Sequence, residues 1–229
     1  MTEKNQPDFK ALLSFAHELA DTSATAIRPH FRKSISVTNK ASPGEFDPVT
    51  AADTAAERAI RKAIDMRWPD HGVIGEEYAH TREGARYRWV IDPIDGTRAL
   101  AKGRPHFAIS VALVEGGRPV LGGIFNPATD EFFEARFGGG AFLNGKPIRV
   151  ADCTAIEGCR MVAFAPMFKH PSWPEPWPEM DIIDRNSVAY RIALVASGAA
   201  DATLALNGKN DWDLAAADVI LHEAGGRMT

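Results

Sequence analysis

Cysteine is nearly missing from this chain. Cys153 and Cys159 are the only two in 229 residues, and no histidine stands in metal-type spacing with them. That excludes a disulfide-built scaffold and a zinc–thiolate site, and it leads to the expectation of a cytoplasmic protein with reduced thiols. No apolar run approaches the ~20 residues that span a bilayer, so no membrane partner is expected. Residues Met1 to Asp8 are polar and lack the apolar stretch of a secretory signal. An excess of positive charge is missing too. Lys and Arg number 26 against 30 Asp and Glu, a formal charge of −4, which argues against a nucleic-acid polymer as partner. The seven histidines are scattered, and none pairs with Ser or Cys in a nucleophile motif. Internal repeats and low-complexity segments are absent as well.

What is present is a chain that is 45% hydrophobic, enough for one sizeable core or two tightly joined subdomains. Phe9, Leu12, Leu13, Ala16, Leu19 and Ala20 recur at helical spacing and predict an amphipathic helix that fades near Pro29. Lys40 to Pro48 reads as a loop. The stripe Ala52, Ala56, Ala59, Ile60, Ala63 and Ile64 predicts a second helix from about Thr50, ended by Trp68-Pro69-Asp70-His71-Gly72. Val73-Ile74-Gly75 is a short apolar run that delivers Glu76 and Glu77. Trp89-Val90-Ile91 reads as a strand running into Asp92, broken at Pro93 and Gly96, with a helix following from Thr97.

Further along, Phe107 to Val114, Val120 to Phe125 and Glu131 to Phe137 read as strands, the first turned by Gly116-Gly117. Asn144-Gly145 is a two-residue hairpin signal. These elements predict helices packed on an antiparallel sheet. Ala165 to Asp184, rich in Pro and Trp, reads as a surface excursion. Val188 to Val195 predicts a helix closed by Gly198, and Asp201 to Leu206 a buried strand. Asp213 is expected to open a last helix, Leu214 to Ala224, stopped by Gly225-Gly226. The expected organisation is an α+β subdomain over residues 1–150 carrying most of the acids and an α/β subdomain over residues 151–229 supplying Asp213. Strand pairing would be incomplete at Thr229, so the C-terminal end is expected to be truncated.

Glu76, Asp92, Asp95 and Asp213 share a placement, at element ends after apolar runs. Asp95 and Asp213 can be read as helix caps, and Glu76 and Asp92 as solvated strand ends. Carboxylates brought together at one sheet edge, however, raise one another's pKa unless a cation neutralises them. With no His or Cys in the set, hard oxygen ligands point to Mg²⁺. Asp53 completes a capping-box pattern with Thr50, and equally can accept a hydrogen bond from Thr97. Lys40 and Asp47 read as surface charges that can also flank a weaker metal position. Asp92 and Asp95 are separated by two residues, so the Asp-x-Asp of phospho-aspartate phosphatases is not present. Gly138-Gly139-Gly140 precedes strand signals and is no dinucleotide loop.

Asp47-Pro48-Val49-Thr50-Ala51-Ala52-Asp53, Gly75-Glu76-Glu77, Asp92-Pro93-Ile94-Asp95-Gly96-Thr97 and Trp212-Asp213-Leu214-Ala215-Ala216 together resemble the inositol monophosphatase family. The resemblance implies a layered α-β-α-β-α sandwich, a homodimer, and a lithium-sensitive phosphomonoesterase using two or three Mg²⁺ per site on a small phosphorylated metabolite. It implies that Glu76, Asp92 and the Ile94 carbonyl hold one cation. Asp92, Asp95 and Asp213 share a second, and Glu76 reaches a third. Asp53 and Thr97 position the attacking water, with Glu76 and Asp95 also catalytic. Gly96, Thr97, Ser187, Asp92, Asp95 and Asp213 touch substrate. Inositol-specific members carry a Glu shortly before Trp-Asp, where this chain has Leu204-Ala205-Leu206-Asn207-Gly208-Lys209-Asn210-Asp211. That departure opens the 3′(2′),5′-bisphosphate nucleotidases and histidinol-phosphate phosphatases as alternatives. A non-catalytic homologue that binds a phospho-ligand or protein is the alternative of another class.

Overall fold

The computed structural model describes residues 8–28, 37–39 and 48–229, with side chains at 8–28 and 51–229. Lys40, Asp47 and the side chain of Thr50, singled out from the sequence, lie outside the described residues. Helix α1 (Phe9–Ile27) is capped by Asp8, whose Oδ1 accepts the N–H groups of Lys10 and Ala11 at 3.1 Å. It buries Leu12, Phe15, Ala16, Leu19, Ala20, Ser23, Ala24 and Ile27. Strands β1 (Val37–Asn39) and β2 (Pro48–Thr50) pair antiparallel and lead into α2 (Ala51–Arg67). The buried face of α2 carries two acids, Asp53 and Glu57, among Ala52, Ala56, Ile60 and Ile64.

Both helices cover one face of a seven-stranded sheet running in chain order from β3 (Gly72–Gly75) through β4 (Tyr87–Asp95), β5 (Ala108–Glu115), β6 (Arg118–Asn126), β7 (Glu131–Arg136) and β8 (Ala141–Leu143) to β9 (Lys146–Ile148). Only β3 and β4 run parallel; every other neighbour is antiparallel, as the alternation of short strands and tight turns predicts. Asn144 and Gly145 take φ of 49° and 74° in the β8–β9 turn, the left-handed values that an Asn-Gly pair accepts.

The opposite face packs against α4 (Val188–Ala196) and α5 (Asp211–Glu223). The approach of α5 is close. A Cβ on Gly122 of β6 would lie 2.6 Å from the Ala216 carbonyl oxygen and 2.7 Å from Val219 Cγ1, so only glycine lets the helix settle there. Beyond these helices lies a parallel sheet in the order β11 (Asp181–Asp184), β10 (Arg160–Ala163), β12 (Ala202–Thr203). The layers therefore run α-β-α-β. The outer face of the second sheet is covered by a 3-10 helix (Ala165–Lys169) and the Trp and Pro residues after it, which form a small cluster with Cys159, Met161 and Phe168. Among the described residues no helix is long and apolar enough to cross a membrane.

Several expectations change. The strand at Trp89 does not break at Pro93 but continues to Asp95, because a bulge absorbs the missing N–H of the proline. The helix after it, α3 (Thr97–Ala101), is five residues long. The Pro- and Trp-rich segment contains β11 at its end, and β10 precedes it; four-residue strands in a parallel sheet leave too little periodicity to read. Strand β12 is two residues, partly buried, rather than a buried run from Asp201 to Leu206. The last helix opens at Asp211, two residues before Asp213.

Candidate active site

Two carboxylates three positions apart on a regular strand point to opposite faces. Here they do not. Asp92 pairs with Ser110 and Asp95 with Ala108, so three steps on β4 match two on β5. The extra residue is a β-bulge, and it returns both acids to the face covered by α4 and α5. Ile94, which strict alternation would place beside Asp92, is buried instead with Trp89 and Ile91 under α1 and α2. Main-chain groups released by the bulge find local partners. The Ile94 N–H donates to Asp92 Oδ1 at 2.9 Å, the Pro93 carbonyl accepts the buried Ser23 hydroxyl at 3.2 Å, and the Ile94 carbonyl oxygen lies 3.1 Å from the Thr97 hydroxyl, whose single hydrogen Asp53 takes at 3.0 Å.

Asp95 is fixed by the start of α4. Its Oδ2 accepts both the Ser187 hydroxyl and the Ala189 N–H at 2.6 Å, while Ser187 Oγ also accepts the Tyr190 N–H as the helix cap. The Ser187 hydroxyl is thus committed to holding Asp95. Asp213 sits in the first turn of α5, where its Oδ2 accepts the Asn210 N–H at 2.8 Å; the N-cap is Asn210, three residues before the cap read from the sequence, and Asp213 instead closes the capping box from the third helical position. Carboxylate oxygens of Asp92, Asp95 and Asp213 all lie within 4.8 Å of one another. Burial, and behind it the charges of Glu76, Asp95 and Asp213, push the Asp92 carboxyl well above the usual carboxylate range. Burial also raises Asp95, opposed by its bonds from Ser187 and Ala189. Three such acids, two of them buried, form a set that a hard divalent cation neutralises and an all-oxygen donor shell suits. Among the described residues no other group of acids, histidines or cysteines is spaced this way.

Asp53, 1% exposed on α2, accepts the Thr97 hydroxyl at 3.0 Å. Glu76 follows β3, the parallel neighbour of β4, half-buried. It is not one of the three mutually close acids, but its charge acts on Asp92. The loop that carries it reaches α5, where His80 meets the Trp212 ring edge-on at 6.3 Å. Two contributors escaped the sequence reading. Ser23 hides in an apolar helical stripe with nothing to mark it. Glu57 had a mark: it lies four residues after Asp53 on the face of α2 that the apolar stripe defines as buried, and a charge there needs partners.

The carboxyl ends of β10, β11 and β12 lie at one edge of the parallel sheet. The register Ala163↔Asp184 and Val162↔Thr203 sets those ends level, and from them the chain enters α4 and, after Leu204–Asn210, α5. Phe164 and Leu206, 52% and 53% exposed, follow β10 and β12. Arg185 follows β11, and its charge, after burial and together with Arg104, lowers the pKa of His106.

Helix and sheet layers in this order, around an acid cluster made only of oxygen donors, are those of a phosphoric monoester hydrolase. More narrowly, the sequence matches the inositol monophosphatase family over residues 8–229, and the chain belongs to that family. A fructose-1,6-bisphosphatase/inositol-1-monophosphatase of Aquifex aeolicus is 33% identical over 230 aligned positions, 97% of this chain and 86% of that protein. A histidinol-phosphatase of Chlorobaculum parvum is 37% identical over 221, with 93% and 83% covered. Among solved structures, the IMPase of Thermotoga maritima superposes with a TM-score of 0.81 at 32% identity, covering 94% of this chain and 84% of that one.

Proposed function

We propose that the protein hydrolyses the phosphomonoester of a small metabolite by direct attack of water, with Mg²⁺ as cofactor. The observation that carries this is the convergence of Asp92, Asp95 and Asp213 within 4.8 Å, beside a Thr97 hydroxyl held by Asp53. Asp92, Asp95, Asp213, Glu76 and the Ile94 carbonyl would hold two or three cations. When bound, these would lower the pKa of the attacking water and offset the charge developing on the leaving alkoxide. The residues do the rest. Thr97 donates its hydroxyl hydrogen to Asp53 at 3.0 Å, which leaves an oxygen lone pair to accept a hydrogen from the attacking water and aim its own lone pair at phosphorus. The N–H groups of Gly96 and Thr97 would receive the phosphoryl oxygens. Ser187 and Ala189 keep Asp95 from swinging away from Asp92 and Asp213. Water attacks in line and no phospho-enzyme forms.

Phe164 and Leu206, exposed where β10 and β12 end, and the neighbouring Ala205 would line the leaving-group side, where they offer no hydrogen bond to a ring of hydroxyls. They favour a leaving group with an apolar face, and Arg185 favours a second anionic group, so adenosine 3′,5′-bisphosphate is the preferred candidate over inositol 1-phosphate. Family resemblance adds the expectations of a cytoplasmic homodimer and of inhibition by lithium. The decisive measurement is p-nitrophenyl phosphate hydrolysis with Mg²⁺ and with EDTA, followed by the two metabolites. Turnover that depends on Mg²⁺, and that lithium suppresses where sodium does not, is expected. Hydrolysis that survives EDTA unchanged would overturn the reading.

A further inference from the structure

From the contacts around Gly75–Tyr78 we infer that Glu57 is a positioning residue that presets Glu76 for cation binding; the inference rests on the proposed role of Glu76 as a ligand. Glu57 is 0% exposed, on the side of α2 that faces the end of β3. Its Oε2 accepts the Glu77 N–H at 2.7 Å and its Oε1 accepts the Tyr78 N–H at 3.2 Å. Arg61, one turn on, donates its Nε to Oε1 at 2.8 Å and reaches the Tyr78 carbonyl at 3.1 Å. On the other side of Glu76 the backbone lies directly against the same carboxylate. A Cβ on Gly75 would stand 2.4 Å from Glu57 Oε1, 2.7 Å from Cδ and 3.0 Å from Oε2. The backbone at residues 75, 77 and 78 is therefore seated on Glu57, on both sides of Glu76.

The clamp has a physical purpose. Glu76 and Asp92 repel, since the Glu76 charge helps push Asp92 upward. A loop free to move would relax that repulsion by carrying Glu76 away from Asp92, and a cation would then have to gather it back. Two backbone N–H groups bonded to a buried, Arg-paired carboxylate resist that movement before any cation arrives. Glu57 touches neither substrate nor the reacting atoms in this arrangement; it acts through the loop.

The test uses the whole protein and the Glu57→Gln variant. An amide of the same size cannot accept at both oxygens, so one N–H faces a donor. Titration with Mg²⁺ by calorimetry and with Mn²⁺ by electron paramagnetic resonance is expected to show affinity weakened by about tenfold, the usual scale for groups that hold a ligand in place. Amide exchange at Glu77 and Tyr78 should accelerate, and kcat at saturating Mg²⁺ should stay within about twofold of the parent, a split that a purely structural role would not give. Glu57→Asp, which keeps the charge on a shorter arm, should recover part of the affinity. Should Glu57→Gln fail to fold, Gly75→Ala displaces the same carboxylate without removing it, and the same loss of affinity is expected. A folded variant with unchanged cation affinity overturns the inference. A parent protein that binds neither Mg²⁺ nor Mn²⁺ overturns instead the reading of the site beneath it.

Discussion

The end of β4 and the ends of β10, β11 and β12 are built differently. At β4 both acids are tied down, Asp92 by the Ile94 N–H and Asp95 by Ser187 and Ala189, and Thr97 just beyond is held by Asp53. At the parallel sheet, residues 205–210 are all exposed, and Phe164 and Leu206 show large apolar faces. The contrast separates two demands. Chemistry at phosphorus tolerates little displacement, so its groups are cross-braced by backbone N–H and hydroxyl donors from β4, α3 and the start of α4. Recognition of the leaving group needs surface character, which single exposed side chains can supply and replace.

The largest effect should come from the braced side. Asp95→Asn keeps an oxygen for Ser187 and Ala189 but removes a charge from the acid cluster. Steady-state turnover with Mg²⁺ is expected to fall about a thousandfold, the upper range for losing one preorganised charge-stabilising group, with circular dichroism unchanged. A variant keeping the full parent rate would show that Asp95 braces α4 and does nothing for catalysis. Next comes stability without cation. Asp92 and Asp95 have folded-state pKa values raised above their unfolded ones, so their contribution is complete below the ordinary carboxylate range and is lost as pH climbs through the raised values. In EDTA at neutral pH, Asp92→Asn should therefore melt higher than the parent by about 3 °C or more, on a scale of roughly 2–4 °C per kcal/mol, and gain nothing from Mg²⁺. A melting temperature that falls, or a variant that Mg²⁺ still stabilises, would contradict the cluster as described. Smallest is the exposed side. Leu206→Glu adds an acceptor for hydroxyls and should shift kcat/KM toward inositol 1-phosphate, relative to adenosine 3′,5′-bisphosphate, by about tenfold. Mg²⁺-dependent p-nitrophenyl phosphate hydrolysis should be unchanged by it; an unchanged preference would remove Leu206 from recognition.

Much of this was legible in the residues. The helical stripes of α1 and α2, the Gly and Asn-Gly turns and the position of the acids after apolar runs all depend on local pattern, and local pattern is what a sequence displays. Bringing Asp213 to Asp92 was readable only from motifs taken together, because it depends on how α5 docks across β6, and Gly122 says nothing by itself. The bulge was misread as a break, since Pro93 removes an N–H whether a strand ends or merely slips. Strands β10 and β11 were missed because short parallel strands lack alternation, and the Pro and Trp residues between them resemble loop. Glu57 was passed over because an apolar stripe draws attention to the residues that fit it.

The bulge carries a consequence for main-chain chemistry. An Asp-x-Asp sequence on a regular strand would also present two carboxyl groups side by side, with every peptide oxygen between them engaged in cross-strand pairing. By holding one residue more than its neighbour, β4 excuses the oxygens of Pro93 and Ile94 from that duty and gives them to a serine and a threonine. Shortening this stretch by one residue would leave both aspartates aimed as they are. What it would take away is the Ile94 peptide oxygen outside the cross-strand ladder, a neutral oxygen that no side-chain replacement can restore.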